Sequence, residues 1–325
     1  MTAGGFTWRD GERVIRFGRG ALADAPALLG DGYALLTTPR ARRAAPALVD
    51  RAAGVHDVRP GDVGQIAAEL GDAVSGRLLV ALGGGRIVDV AKALAAVAGP
   101  PVRVAAIPTT LSAAEMTSAH RQADGAPPDA PQVRPAIVVN DPALSASQPP
   151  AERAASTANA LAHAVEAPCS TRASPVPVLA AEEAARLLSR DHGDDDALAL
   201  GALLSGYAMD AAGYGLHHVL SQTLRAIAGI GHGAANAAML PHTAAGLRRR
   251  APAAVARLDA AAGRPVEALA AELADRAGAT RLRDLGVEEA MLDTVAAAAA
   301  RRPELAATPP LAERAELRSL LAAAW

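Results

Sequence analysis

Half of the eight histidines lie in one short stretch of the chain, residues 215–242. They are His217, His218, His232 and His242. Upstream, Asn159 and His163 are four residues apart, a spacing that places both side chains on one face of a helix. Imidazoles that meet an amide or a carboxylate can hold a divalent metal ion, or place a proton donor beside a substrate. The alternative is a set of isolated core or surface histidines, but their clustering favours a site.

A glycine turn in ALGGGRIVDVAKA is a second candidate site. Gly83, Gly84 and Gly85 fall between a predicted strand and a predicted helix. Without side chains they let backbone N–H groups approach a pyrophosphate, and the helix dipole attracts its charge. Three glycines are also typical of an ordinary tight turn. The flanking elements and a second polar loop at Pro108, Thr109 and Thr110 favour a nucleotide site.

Further polar residues are predicted around the same ligand. Asp89 and Lys92 fall in the first turns of the helix, where they either reach ribose hydroxyls or are ordinary solvated charges. Thr38 follows an earlier strand, at a place where an adenosine ribose usually rests. The arginines that follow it could receive the 2′-phosphate of NADPH, although a solvated helix face is the simpler interpretation; they are Arg40, Arg42 and Arg43.

Composition narrows the class of protein. A length of 325 residues favours two domains, and 51% hydrophobic residues supply sizeable cores. Aromatics are only 2% and the net charge is -2, so nucleic-acid and membrane-surface roles are not expected. One cysteine, Cys169, excludes an internal disulfide and favours a cytoplasmic protein, and the N-terminus lacks the apolar core of a signal peptide. The uncharged run at residues 226–247 is interrupted by polar residues and is interpreted as buried in a globular protein.

Residues 13–140 alternate between short strands and helices, which predicts a doubly wound parallel sheet. The predicted strands are RVIRFG, YALLTT, RLLVALGGG, VRVAAIPTT and PAIVVNDPAL. The predicted helices span residues 41–53, 62–73 and 87–99, and residues 120–135 are predicted to form a loop.

From residue 149 onward the sequence is typical of helices only. Breaks between helices are expected near residues 170–177, 192–195, 229–231 and 303–310. The sequence therefore predicts an α/β dinucleotide-binding domain at residues 1–148 and an all-helical domain carrying the histidine cluster at residues 149–325.

The order of motifs resembles the iron-containing alcohol dehydrogenase superfamily over nearly the whole chain, most closely its maleylacetate reductase branch. The resemblance is carried by GGGRIVDVAKA, IPTTLSAAEMT, NDPAL, NALAHAVEA, GLHHVLSQTL, GHGAANAAMLPH and the tail PPLAERAELRSLLAAAW. It implies the dehydroquinate synthase-like, iron-type alcohol dehydrogenase architecture, with the active site in a cleft between the domains. It also implies hydride transfer from NADH or NADPH, and a homodimer in which the N-terminal segment could pair across the interface.

The resemblance implies site residues as well. The metal-ligand positions of the dehydrogenases correspond to Asn159, His163, His218 and His232. An amide is a poorer ligand than the usual aspartate, so we expect a weak or empty site for iron or zinc and no requirement for metal. The imidazoles would then donate hydrogen bonds to substrate oxygens.

The chain departs from the family pattern at two more positions. Gln222 replaces a histidine beside the nicotinamide and cannot exchange a proton near neutral pH, so proton delivery would fall to His217, His218 or His163. Arg86 replaces a serine after the glycines and could pair with the pyrophosphate or fill its place.

We therefore expect a reductase of a small oxo- or enoyl-carboxylate, with His120 and Arg121 as candidates for gripping a carboxylate. One alternative is a reassigned scaffold that performs a non-redox lyase, dehydratase or cyclase step, since a fold does not guarantee its chemistry. A non-catalytic binding subunit is a further alternative, which the histidine cluster disfavours.

Overall fold

The computed structural model describes residues 4–71, 76–190 and 193–325. The chain divides into two compact units. The first comprises Met1–Gln148 with Asp195–Ala199, and the second comprises Pro149–Asp194 with Leu200–Trp325.

A seven-stranded sheet organises the described part of the first unit. Its strands are β1 (Phe6–Asp10), β2 (Arg13–Phe17), β3 (Tyr33–Thr37), β4 (Ala52–Asp57), β5 (Leu78–Gly83), β6 (Arg103–Pro108) and β7 (Ile137–Asn140). The order across the sheet is β1-β2-β7-β6-β5-β3-β4. Strand β1 runs antiparallel to β2, and the other neighbours are parallel. The five strands expected from the sequence are confirmed.

Helices cover both faces of this sheet. They are α1 (Ala25–Leu29), α2 (Pro39–Ala44), α3 (Pro46–Val49), α4 (Val63–Leu70), α5 (Gly85–Ala98) and α6 (Pro142–Ser145). Alternate strand residues enter two separate cores: Leu36 packs with α4 and α5, whereas Leu35 packs with α1, α2 and α3. This alternation follows the two-residue period of a strand and confirms the doubly wound α/β architecture.

The prediction of one helix over residues 41–53 is wrong. Helix α2 stops at Ala44 because Pro46 disfavours a helical Ala45, which has φ -140° and ψ 60°. After the short α3, Ala52–Asp57 forms β4, whose alternating half-buried and exposed residues mark an edge strand. Strand β1 was likewise not expected as part of the sheet.

The helix expected over residues 62–73 is observed as α4, which ends at Leu70, and positions 72 and 73 lie outside the described residues.

The described residues of the second unit contain helices and no strand. The helices are α7 (Pro150–Glu166), α8 (Pro175–Leu188), α9 (Asp195–Ala212, whose first five residues group with the first unit), α10 (Leu216–Ala228), α11 (His232–Arg250), α12 (Pro252–Ala262), α13 (Val266–Arg276), α14 (Met291–Ala299) and α15 (Arg314–Ala324). Helix α11 is central and packs against α7, α10, α13 and α15.

The expected breaks between these helices are confirmed near residues 170–177, 229–231 and 303–310. Of the break expected at 192–195, position 192 lies outside the described residues, and α9 begins at Asp195. The apolar run at 226–247 spans the end of α10 and most of α11, with Pro241 inside the latter. In the described chain, no helix combines the length and the apolar character that crossing a bilayer requires.

A buried polar cluster lies beside the carboxyl end of the sheet in the first unit. Glu115, in the loop after β6, accepts a hydrogen bond from Asn140 Nδ2 at 3.1 Å, while its other carboxylate oxygen is buried without a hydrogen-bond partner. Arg13 donates to the backbone carbonyl of Glu115 at 3.3 Å. Burial raises the pKa of Glu115 to about 7, against the opposing effects of Lys92 and Asn140.

This raised pKa predicts that Glu115 destabilises the fold at alkaline pH. The folded protein keeps a proton on Glu115 up to about pH 7, whereas an unfolded carboxyl loses it near the ordinary value of 4.5. Stability is therefore lost as the pH rises from the lower value to the higher one. Glu115→Gln cannot ionise and therefore does not lose this stability. The free energy of unfolding of Glu115→Gln minus that of wild type should increase by at most about 3 kcal/mol when the pH is raised from about 5 to about 8.

Urea unfolding at the two pH values measures this difference. Glu12→Gln makes the same chemical change at an exposed residue and should leave the pH dependence of wild type unaltered. A difference between Glu115→Gln and wild type that is the same at both pH values would contradict the prediction.

Candidate active site

Three turns meet at the carboxyl edge of the sheet, where parallel strands present ligand-binding loops. The turns follow the adjacent strands β3, β5 and β6. Thr37 Oγ1 donates to the Leu82 carbonyl at 2.9 Å, and Thr109 N–H donates to the Gly83 carbonyl at the same distance. Thr38 caps α2, its Oγ1 accepting from Ala41 N–H at 3.2 Å.

The glycine turn is packed tightly against the loop after β6. A Cβ at Gly84 would lie 2.9 Å from Thr110 Cγ2, and one at Gly85 would lie 2.8 Å from Ser112 Oγ. The close approach leaves Thr110 Oγ1 buried without a hydrogen-bond partner. Helix α5 begins here with Gly84 as its N-cap, and no side chain among the described residues caps it. Orphan N–H groups, a helix N-terminus and an unpaired hydroxyl together fit a pyrophosphate.

The charged residues near this turn have different surroundings. Arg86 is exposed and Asp89 is half-buried, whereas Lys92 is fully buried. Lys92 Nζ donates to Asp89 and Thr117 side chains at 3.2 Å and to the Ala119 carbonyl at 3.4 Å. The ammonium thus holds the loop after β6 in place, and a direct contact with ribose stays a prediction. Arg40 donates to the carbonyl and the hydroxyl of Ser147.

The cluster residues predicted from the sequence come from three packed helices of the second unit. Helix α7 supplies Asn159 and His163, α10 supplies His217 and His218, and α11 begins at His232. The His163 and His218 rings stack with centroids 4.8 Å apart and planes 15° apart. The His217 ring meets His218 edge-on at 5.0 Å. The predicted cluster is therefore brought together, with His242 on α11 outside these ring contacts.

A carboxylate that the sequence reasoning missed contacts one of these rings. Glu166, the last residue of α7, is fully buried. Its Oε2 lies 2.5 Å from His218 Nδ1, and its Oε1 accepts from the N–H groups of Gly215 at 3.0 Å and His217 at 2.6 Å. Burial raises the pKa of Glu166, while the His217 imidazole and the backbone donors oppose this shift. Its signal in the sequence is the spacing in HAVE, three residues after His163.

The remaining ring nitrogens differ in their partners. His217 Nδ1 lies 2.8 Å from Thr243 Oγ1, whose hydroxyl donates to the Met239 carbonyl at 2.9 Å. His218 Nε2 and His163 Nδ1 are buried without hydrogen-bond partners. Burial is the first cause that lowers the pKa of His217 and of His218 to about 3, and it lowers that of His163 well below the ordinary value. The three imidazoles are therefore neutral near neutral pH.

The donor set does not fit a divalent metal ion in this arrangement. Asn159 Oδ1 already accepts from Asn236 Nδ2 at 2.5 Å, and the same amide nitrogen lies 3.1 Å from His232 Nε2. The Asn159 amide also carries no charge to balance a divalent cation. Within residues 4–71, 76–190 and 193–325, no three or more His, Cys, Asp or Glu side chains are grouped to hold a metal.

Gln222 is oriented by Arg302, which the sequence reasoning also missed. Arg302 Nη1 donates to Gln222 Oε1 at 3.0 Å, and its Nη2 donates to Glu304 at 2.6 Å and to the Tyr214 hydroxyl at 3.3 Å. The Gln222 carbonyl is therefore occupied, and its NH₂ group makes no hydrogen bond within the described chain. Tyr214 in turn packs against His218, with ring centroids 5.7 Å apart.

Two other candidates are engaged elsewhere. His120 Nδ1 lies 3.0 Å from the Arg121 carbonyl, and its Nε2 accepts from Val133 N–H at 3.1 Å, so this ring holds its own loop together. Arg121 pairs with Asp62 at 2.5 Å. The interpretation of these residues as a carboxylate grip is therefore not supported.

Cys169 is buried, and burial raises the pKa of its thiol to about 12, which excludes a reactive thiolate.

Comparison with known proteins gives a consistent picture. The model of the Fe-containing alcohol dehydrogenase family, C-terminal, matches residues 153–325. Maleylacetate reductase 2 of Cupriavidus pinatubonensis is 37% identical over 279 residues, which cover 78% of this chain and 77% of that protein. Maleylacetate reductase of a Rhizobium species is 30% identical across 98% of this chain and 97% of that protein.

A solved structure agrees with these relatives. Maleylacetate reductase from Agrobacterium tumefaciens superposes with a TM-score of 0.82 at 30% identity, covering 98% of this chain and 97% of that one. The comparisons favour a reductase over the non-redox alternative. The chain therefore belongs to the Fe-containing alcohol dehydrogenase family, in its maleylacetate reductase-like branch, and is an NAD(P)H-dependent oxidoreductase.

Proposed function

We propose that this protein uses NADH or NADPH to reduce a small oxo- or enoyl-carboxylate of the maleylacetate type. The observation that carries the proposal is the set of neutral imidazoles gathered beside Asn159, an amide where a metal-dependent site would place a carboxylate. The names of the relatives, which are maleylacetate reductases, support the substrate class.

The proposed reaction is a conjugate reduction. Maleylacetate is a dicarboxylate whose alkene is conjugated to an oxo group. Hydride from the dihydronicotinamide forms a C–H bond at one alkene carbon, and the electron pair of the C=C π bond moves toward the oxo oxygen as an enolate. A proton then adds to the neighbouring carbon, which restores the oxo group and leaves the oxidised nicotinamide as the second product.

The imidazole cluster is proposed to stabilise the enolate. His163, whose imidazole makes no hydrogen bond within the described residues, and His218, whose Nε2 is unpartnered, are proposed to contact the reacting oxygens. His232 and the Gln222 NH₂ group are proposed to complete this set of contacts. His217 is fully buried and bonded to Thr243, so its proposed part is to support the His218 ring.

Cofactor binding is proposed for residues 1–148, and the substrate contacts for residues 149–325. The pyrophosphate would lie on the N-terminus of α5, against the glycine turn and Thr110. The proposed role of Arg86 is to add positive charge near the pyrophosphate. The proposed role of Lys92 is to hold the loop after β6, which contains Thr109 and Thr110. The proposed cofactor residues are Thr38, Gly83, Gly84, Gly85, Arg86, Asp89, Lys92, Thr109 and Thr110.

We propose that catalysis needs no divalent metal, because the Asn159 amide contributes no charge and its oxygen already accepts a hydrogen bond from Asn236. A homodimer is proposed as the assembly, since β1 is an edge strand available for pairing. A cytoplasmic location is proposed from the single, buried cysteine.

The glycine turn provides a first test of the cofactor site. In Gly84→Ala the new methyl group would lie 2.9 Å from Thr110 Cγ2 and displace the loop, so NADH or NADPH should bind at least about tenfold more weakly. Fluorescence titration of the purified protein measures this change. The control Gly71→Ala adds the same methyl group in the same unit, where its nearest neighbour would be 3.5 Å away, and should bind as wild type does. If wild type bound neither dinucleotide, the reductase proposal would fail.

A second test concerns His218. Replacing its imidazole in His218→Gln removes the proposed oxyanion contact and should lower kcat by about 100-fold or more, with dinucleotide affinity retained. Steady-state oxidation of NADH or NADPH in the presence of maleylacetate measures the effect. His242→Gln makes the same change on α11 outside the ring cluster and should retain nearly full activity. Full activity in His218→Gln would move the chemistry to another residue.

A further inference from the structure

The Glu166 carboxylate is the meeting point of two helices in the second unit. Its relative exposure is 0%, and it is the C-terminal residue of α7. Oε1 accepts from the N–H groups of Gly215 and His217, and Oε2 meets Nδ1 of His218. The two oxygens therefore act separately, because Oε1 binds the backbone at the start of α10 and Oε2 binds one imidazole.

The start of α10 depends on groups from elsewhere in the chain. Its N-cap, Gly215, has no side chain, and a Cβ at that position would lie 2.4 Å from Thr308 Oγ1. Thr308 Oγ1 accepts from Leu216 N–H at 3.0 Å, next to the two N–H groups that Glu166 accepts. Glu166 and Thr308 thus divide the capping of α10 between them. Only Glu166 also contacts an imidazole of the cluster.

The contact with Oε2 determines which ring nitrogen of His218 is available. With Nδ1 held by the carboxylate, Nε2 is the remaining nitrogen, and it is buried without a partner. The ring is confined by His163 on its face, His217 at its edge and Tyr214 at a tilt. Turning the ring over would leave Oε2 buried and unpaired, an unfavourable state for a carboxylate.

We propose that Glu166 is a positioning residue for the reduction. It accepts the Nδ1–H of His218 and so fixes the ring with Nε2 as the nitrogen available to substrate. The proposal rests on the proposed function, in which His218 contacts a reacting oxygen. It does not require a metal ion. A carboxylate that orients an imidazole through its other nitrogen is a recurrent device in catalysis.

Glu166→Gln tests the proposal because the two carboxylate oxygens have different partners. The two backbone N–H groups require an acceptor, so the amide oxygen should take the place of Oε1. The amide NH₂ then faces His218 Nδ1 and donates to it. The neutral ring must therefore exchange its tautomer, from Nδ1–H in wild type to Nε2–H in the variant.

Nitrogen-15 NMR of protein labelled at histidine distinguishes these tautomers directly, and His218→Gln assigns the signals. We expect the Nδ1 of His218 to be protonated in wild type and unprotonated in Glu166→Gln. We also expect kcat to fall by about 10-fold to 100-fold in Glu166→Gln, with little change in the KM for NADH or NADPH.

Thr308→Val is the matched control. It removes a capping hydrogen bond from the adjacent N–H of the same helix and keeps the shape of the side chain, but it does not touch His218. It should lower the melting temperature because a capping bond is lost, while the tautomer of His218 and kcat stay near their wild-type values. If Glu166→Gln and Thr308→Val changed kcat equally and left the tautomer unaltered, Glu166 would be only a helix cap and the proposal would be overturned.

The wild-type spectrum keeps the proposal testable if Glu166→Gln does not fold. An unprotonated Nδ1 on His218 in wild type would overturn it without any variant. The NMR result is also independent of turnover. A protonated Nδ1 in a protein that does not reduce maleylacetate would uphold the positioning by Glu166 and refute the proposed function alone.

Discussion

A carboxylate that is buried in a helical core must be surrounded by donors, and this requirement organises the second unit. Glu166 ends α7 at the point where α10 begins with N–H groups that have no partners in their own helix. The carboxylate accepts from two of them, Gly215 and His217, and the Thr308 hydroxyl accepts from that of Leu216. These bonds connect α7 to the start of α10, the two helices whose His163 and His218 rings are stacked.

In the first unit, glycines rather than a buried charge allow two segments of backbone to pack closely together. Gly84 and Gly85 let the loop after β6 approach the start of α5 closely, which places the unpartnered Thr110 hydroxyl beside a helix N-terminus that has no side-chain cap. The buried Lys92 ammonium holds the far part of this loop through Thr117 and Ala119. In both units, polar groups that the protein itself leaves unpaired mark the positions proposed for ligands.

The sequence predicted what local periodicity encodes. Five strands, the glycine turn and the helical second half follow from apolar runs and from alanine- and leucine-rich segments whose environment agrees with their propensity. Strand β4 was missed because AAGVHD is a half-exposed edge strand, which lacks the continuous apolar run of the central strands. The histidine cluster was predictable from its density, and i,i+4 spacing predicted that Asn159 and His163 lie on one helix face.

Partners that are distant in the sequence could not be predicted in this way. Arg302 orients Gln222 from a position 80 residues further along the chain, and no local pattern connects the two. Glu166 contacts His218 from 52 residues away, although its spacing from His163 in HAVE was a usable signal. His120 and Arg121 had the composition of a carboxylate grip, but the acceptors and donors that occupy them come from residues 62 and 133. Only packing in three dimensions decides whether such groups are available.

The central proposal is that the chain, an NAD(P)H-dependent oxidoreductase, transfers hydride from the nicotinamide to a small unsaturated carboxylate. The most direct measurement is the mass of the product formed from maleylacetate with NADH or NADPH deuterated at the transferable position of the dihydronicotinamide. The account predicts one deuterium on carbon in each product molecule. A product that carries no deuterium on carbon, formed at the same rate with or without the dinucleotide, would contradict it.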